Sequence, residues 1–182
     1  MLGEQSPMAN ILILYSTTDG HTIEICKRIK QTVEARGDSV KMLDIKDGPD
    51  LNAETFDKVV IGASIRYGKH QPLVNELIKN YQDVLERHPN AFFSVNVVAR
   101  KPEKNTPETN PYLQKFLKQI DWQPQRLGVF AGRIDFPSQG FFDKHMIRLI
   151  MWMTNGPTDP NAVVEFTDWN KVEEFGRMVA EM

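Results

Sequence analysis

The residues best equipped for chemistry gather in three short stretches. Ser16-Thr17-Thr18-Asp19-Gly20-His21-Thr22 sets four hydroxyls, an acid and a glycine between an apolar run and a helical pattern. Such a turn offers backbone N–H groups, hydroxyl donors and a helix N-terminus at one point, and holds a phosphate without Lys or Arg. Gly62-Ala63-Ser64-Ile65-Arg66-Tyr67-Gly68 adds a ring able to stack on a planar ligand, a cation, and a glycine free to shift its backbone. Asn96-Val97-Val98-Ala99-Arg100-Lys101-Pro102 opens a third stretch that runs to Asn110, with a further cation at Lys104. A loop longer than about 12 residues is usually either functional or disordered.

Elimination narrows the ligand. No Gly-x-Gly-x-x-Gly follows the first apolar run, and no Gly-x-x-x-x-Gly-Lys-Ser/Thr is present. A standard dinucleotide site and a P-loop NTPase are therefore excluded. Asp19 alone cannot supply the acidic cluster that holds Mg²⁺ in a receiver domain. His21, His70, His88 and His145 show no ligand spacing, so no metal is expected, and Ser16 lacks the Gly-x-Ser-x-Gly setting of a nucleophile. Lone Cys26 reads as a buried helix residue rather than a redox centre. Flavin mononucleotide (FMN), with its phosphate in the first turn, remains.

Strands must aim these loops. Ile11–Tyr15, Lys58–Ala63, Ala91–Val97 and Leu127–Gly132 are continuous apolar runs, as expected of strands buried on both faces, and Val40–Ile45 is a shorter one. A helix over 21–36 carries a stripe of Ile25, Ile29 and Val33 and stops at Gly37. A second begins at Pro72 with a stripe of Leu73, Leu77 and Tyr81, and a third spans Pro111–Gln119. Residues 98–110 read as an unstructured loop. Alternating strand and helix predicts an α/β fold: a doubly wound, five-stranded parallel sheet with helices on both faces. Ligands of such sheets bind beyond the carboxyl ends of the strands, where all three stretches lie.

The end of the chain is less regular. Residues 133–160 show no sheet element and read as an insertion near the last strand, splitting Leu127–Ala131 from Val163–Phe166. Thr167 or Asp168 caps a final helix through about Met178, with Val172, Phe175 and Val179 inward. Residues 1–7 read as a leader or remnant ahead of a single domain, 8–182.

Composition agrees with one domain and removes other classes. The 182 residues include 22 basic and 24 acidic side chains, a net charge of −2, which argues against a nucleic-acid binder. A single cysteine rules out an internal disulfide. No apolar run reaches the ~18 residues of a membrane span, and the polar start lacks the apolar core of a secretory signal. A cytoplasmic protein is expected.

Tyr15–Thr22 resembles the phosphate loop of flavodoxins, whose usual core is Thr-Gly-x-Thr, and departs from it at Asp19 and His21. Three motifs together go further: Ser-Thr-x-Asp-Gly-x-Thr, Ile-Gly-Ala-Ser-Ile-Arg-Tyr-Gly and Ser-Val-Asn-Val-Val-Ala-Arg-Lys-Pro-Glu-Lys-x-Thr-Pro. With the late insertion, they resemble the bacterial quinone-dependent protoporphyrinogen IX dehydrogenase family from about Asn10 to Val179. The resemblance implies a flavodoxin-like fold, bound FMN, oxidation of protoporphyrinogen IX, a quinone acceptor such as menaquinone or ubiquinone, and a place in haem synthesis. It implies cofactor contacts from Ser16, Thr17, Thr18, Asp19, Gly20, His21 and Thr22. Ser64, Ile65, Arg66, Tyr67 and Gly68 would lie against the flavin ring, with Asn96, Val97, Val98, Ala99 and Arg100 also at the flavin site. No catalytic acid or base stands out.

A quinone acceptor is confined to a bilayer, so an enzyme without a span must reach that surface. Phe141–Met153, drawn as a helix, puts Phe142, Met146, Leu149, Ile150 and Met153 in one arc and Lys144, His145 and Arg148 opposite. Ile147, Met151 and Trp152 fall outside that stripe, where they pack on the domain or sink beside it. This is the pattern of an interfacial helix on an anionic membrane, at the cytoplasmic side of the inner membrane. Phe142, Lys144, Arg148 and Leu149, with Lys101, are the candidates for substrate or membrane contact. Two alternatives share the fold: a flavodoxin-type electron carrier and a flavodoxin-like NAD(P)H:quinone reductase. Carriers are generally acidic around the flavin edge, whereas Arg66, Arg100 and Lys101 are expected here. A homo-oligomer is left open.

Overall fold

The computed structural model describes residues 8–135, 148–149, 151–152 and 163–182. Five strands form a parallel sheet: β1 (Asn10–Ser16), β2 (Ser39–Asp44), β3 (Lys58–Ser64), β4 (Asn90–Val95) and β5 (Arg126–Phe130), in the order β2-β1-β3-β4-β5. The winding reverses between β1 and β3, which creates a crevice beyond their carboxyl ends. Register sets the floor of that crevice. Ser16 stands opposite Ala63, and Ser64 opposite Val95, so three loops leave the sheet at one level.

Alternation along β1 splits the core in two. Ile11 and Ile13 face α1 (His21–Glu34) and the C-terminal helix, packing on Ile25, Ile29, Phe93 and Phe175. Leu12 and Leu14 belong to the opposite layer, with Leu77 of α2 (Pro72–Glu86), Phe116 of α3 (Pro111–Leu117), Phe92 and Trp122. Gly62 of β3 is fixed by this packing: a Cβ there would lie 2.1 Å from Phe93 Cζ. Cys26 is buried in α1, and burial pushes its thiol far above the ordinary range.

Several expectations need correcting. The inward stripe of α2 is Val74, Leu77 and Ile78; Leu73 is 41% exposed and Tyr81 sits at the edge of the core. Residues 98–110 are not unstructured throughout, because Val97–Arg100 and Pro102–Lys104 wind into short 3₁₀ turns. β4 therefore ends at Val95 rather than Val97. Residues 133–160 do contain a sheet element. Arg133–Asp135 (β6) pairs antiparallel with Val163–Glu165 (β7), a separate ribbon rather than a resumed last strand. The final helix, α4 (Trp169–Glu181), is capped by Asp168, whose carboxylate accepts the Asn170 and Lys171 N–H groups, and it runs past Met178.

Candidate functional site

The first loop folds on its own polar groups. Thr17 Oγ1 accepts the Gly20 N–H at 2.9 Å, and Asp19 Oδ1 accepts the His21 N–H at 3.3 Å. Gly20 precedes α1 at φ +87°, a conformation that favours glycine. Asp19 thus lays its carboxylate on the first turn of α1, where the helix dipole favours it. From α2's N-terminus the Gln71 amide donates to the Thr17 carbonyl at 3.2 Å, tying the loop to the neighbouring helix.

Three hydroxyls at this carboxyl edge are buried without a partner: Ser16 Oγ, Thr22 Oγ1 and Ser64 Oγ. A buried hydroxyl left unsatisfied costs ~1–3 kcal/mol, so a trio of them at one edge points to a ligand that supplies acceptors.

His21 turns its ring the other way. Its Nε2 lies 2.7 Å from Thr167 Oγ1, and Thr167 donates its own proton to the Ala131 carbonyl at 2.7 Å. Nε2 must therefore carry the hydrogen, leaving Nδ1 bare and unpartnered. Burial pushes the His21 pKa down, against the opposing pull of Glu165, 3.4 Å away. The His21 ring joins α1 to the segment before α4; only its backbone stays with the loop.

In the second loop Arg66 and Lys69 exchange backbone hydrogen bonds of 2.9 and 3.1 Å. Between them Tyr67 and Gly68 stand at φ +51° and +76°, as in a type I′ turn. Tyr67 is the one non-glycine residue at positive φ among those described, a strain of roughly 1–2 kcal/mol. Its ring is 50% exposed, with the Arg66 guanidinium 5.5 Å from its centre.

The third loop is held from below. Asn96 is buried; its side chain accepts the Ala99 N–H and donates to Ser94 Oγ and to Asn110 Oδ1. Ala99 packs into the core on the α2–α3 side of the sheet, away from the crevice. Arg100 donates to the Val97 carbonyl and lies 5.9 Å from the Phe166 ring, and its pKa is lowered by burial.

A cleft of about 430 Å³ results, bounded by Thr18 and Asp19, by Ser64 to Gly68, and by Asn96 to Val98. Of the other expected contacts, Ser16 and Thr22 are buried and are not among the lining residues, and Thr17 and Gly20 shape the loop. Ala99, Arg100 and Lys101 do not line it. Phe142 and Lys144 lie outside the described residues. Arg148 and Leu149 are helical, Leu149 being 51% exposed. Met151 is buried and does pack on the domain, but Trp152 is 71% exposed.

Tyr112, Arg133 and Met151 also line the cleft and escaped the sequence reading. Two of them had a signal. Tyr112 lies in the first turn of the helix after β4, and Arg133 just beyond β5, so both belong to the carboxyl edge by the same rule as the three loops.

Residues 12–161 match the family described as Flavodoxin domain. Over 171 residues the chain is 42% identical to protoporphyrinogen IX dehydrogenase [quinone] of Escherichia coli, covering 94% of each. Over 175 residues it is 43% identical to the protein of the same name from Leishmania major, covering 96% of this chain and 75% of that one. The chain belongs to the flavodoxin-domain family of quinone-dependent protoporphyrinogen IX dehydrogenases. Solved structures agree on the fold. The two-electron reduced flavodoxin of Megasphaera elsdenii superposes with a TM-score of 0.56 at 13% identity, covering 94% of this chain and 99% of that one. Flavodoxin 1 of Bacillus cereus gives 0.51 at 13% identity, covering 95% and 98%. The family's cofactor is a flavin, and the residues present fit one: unpartnered hydroxyls for a phosphate, and a cleft flanked by an aromatic ring and apolar side chains for a planar ring system.

Proposed function

We propose that the protein binds FMN in this cleft and oxidises protoporphyrinogen IX to protoporphyrin IX, with a membrane quinone as acceptor. One observation carries the reaction: end-to-end identity of 42% with a protein of that name, over 94% of both chains. The site's geometry carries the choice of FMN. One group of buried hydroxyls at one helix start suits a single phosphate, and no second cradle of that kind occurs among the described residues.

FMN supplies two-electron chemistry when bound, so the six-electron conversion takes three turnovers. The chain's own contribution is binding, shielding and charge. Ser16 and Thr22 hold the phosphate with their free hydroxyls, and the first turn of α1 adds its dipole. Tyr67, half exposed at the cleft, would cover a planar ring bound there and keep water from it, and Arg66 and Arg133, both at the cleft, would offset negative charge on such a ring.

No helix among the described residues is long and apolar enough to cross a membrane. Exposed Leu149 and Trp152 flank the cleft-lining Met151, and this supports attachment of the cleft mouth to an anionic bilayer surface, on the cytoplasmic side. Porphyrin formation tests the whole reading. With FMN-loaded protein under argon, porphyrin fluorescence should appear only when a quinone is added. Porphyrin formed at the same rate without quinone or without FMN overturns it.

A further inference from the structure

A second recess of about 420 Å³ adjoins the first, sharing Ile65, Gly68 and Tyr112 with it. It opens between the first turns of α2 and the exposed side of α3. Its inner wall is apolar and aromatic, with Phe116 beside the buried His70 at a ring separation of 4.5 Å. Its rim carries Lys69 and Lys115, both exposed and neither in an ion pair among the described residues. Glu76 is the one carboxylate of the lining and pairs with neither lysine, so the recess has a net positive charge. Gly68 keeps the two spaces in contact. It stands at φ +76°, and a Cβ there would already reach Tyr112 Cε1 at 3.4 Å.

We propose that this recess receives the carboxylate-bearing edge of the substrate, an apolar macrocycle with two acidic side chains, while the carbons to be oxidised lie over the cleft. The assignment rests on the function proposed above. A cofactor seated in a cleft of about 430 Å³ leaves little of it for a macrocycle, so the substrate must extend into adjoining space. Of the concave surface around the cleft, this recess joins an aromatic wall for the ring to unpaired ammonium groups for its carboxylates. The lysines then select for a diacid and fix which edge of the macrocycle faces the flavin. His70 is not one of the binding cations, because its Nε2 is engaged with Ser94 Oγ at 3.1 Å inside the protein.

Charge variants on the rim test this in FMN-loaded protein, since Lys69, Lys115 and Glu76 are exposed and their loss leaves the core intact. With Lys69→Ala and Lys115→Ala combined, KM for protoporphyrinogen IX should rise about tenfold at unchanged kcat. KM for its dimethyl ester and for the quinone should stay put. Glu76→Gln should move the diacid KM the opposite way. An unchanged diacid KM, or an equal rise for the ester, overturns the assignment. Fluorescence titration with protoporphyrin IX separates this from failure of the functional reading. If the wild type binds the diacid through the lysines but does not oxidise the porphyrinogen, the recess stands and the activity falls. If it oxidises the porphyrinogen and the variants bind the diacid as well as wild type, the recess falls and the activity stands.

Discussion

Asn96 and Asn110 face each other as a reciprocal carboxamide pair: Asn96 Nδ2 donates to Asn110 Oδ1 at 3.2 Å, and Asn110 Nδ2 donates back to Asn96 Oδ1 at 3.0 Å. Each also caps a helix start, Asn96 Oδ1 for the Ala99 N–H and Asn110 Oδ1 for the Leu113 N–H. The wall of the cleft at 96–98 is thereby locked to α3, which carries Tyr112. Asn110→Ala should lower unfolding stability by about 2–4 kcal/mol in a denaturant titration, through a lost cap and unpaired buried amides. A loss below about 0.5 kcal/mol would mean that the pair holds nothing in place.

The phosphate assignment predicts an effect confined to the cofactor. Thr22 Oγ1 is fully buried and makes no hydrogen bond within the protein. Thr22→Val keeps its shape and removes only the hydroxyl. The apoprotein should be as stable as wild type or slightly more so, while FMN affinity falls by about 1–3 kcal/mol, read by flavin fluorescence titration. Unchanged affinity would remove this hydroxyl from the phosphate site.

Tyr67 predicts the opposite partition of strain and function. Asn tolerates positive φ better than an aromatic residue does, so Tyr67→Asn relieves the turn. Thermal unfolding of the apoprotein should be unchanged or higher by up to about 1 kcal/mol. FMN affinity should drop about five- to tenfold with the stacking ring gone. A destabilised apoprotein with normal FMN affinity would assign Tyr67 to the fold instead.

Burial drives the pKa of His70 down to about 4. Unfolded, the imidazole titrates near 6.5, so between these values the unfolded chain binds the extra proton. Stability is therefore full above about pH 6.5, falls as pH drops through that window, and levels off below about pH 4. The contribution is on the order of 3 kcal/mol, and His21, also lowered by burial, adds in the same direction. His70→Gln should flatten the pH dependence of unfolding between pH 7 and 4. A slope unchanged in that variant would assign it to other groups.

The fold was legible because buried parallel strands are written as unbroken apolar runs. Ile11–Leu14 and Val59–Ile61 read as buried strands, and α1 starts at His21 as expected but stops at Glu34, two residues short of the expected end before Gly37. The first two loops followed from the carboxyl-edge rule. What stayed hidden depends on contacts distant in sequence. Whether Leu73 or Val74 faces inward is decided by the angle at which α2 meets the sheet, not by spacing alone. β6 and β7 are three residues each, too short for a period, and each is defined only by the other. His21 looked like a loop ligand because its partners, Thr167 and Glu165, lie more than 140 positions away. Ala99 and Arg100 were expected at the cofactor because a 3₁₀ turn capped by a buried amide, which turns them off the cleft, leaves no periodic trace.

A porphyrinogen dehydrogenase, an electron carrier and a nicotinamide-driven reductase differ in which reductant reaches the flavin. Anaerobic rapid mixing of the FMN-loaded protein with one reductant at a time separates them, with flavin absorbance as the readout. Protoporphyrinogen IX should bleach the flavin within the turnover time, delivering two of its six available electrons, and porphyrin should follow once a quinone is added, while NADH and NADPH leave the spectrum unchanged. Rapid bleaching by either nicotinamide, with none by the porphyrinogen, would contradict the account.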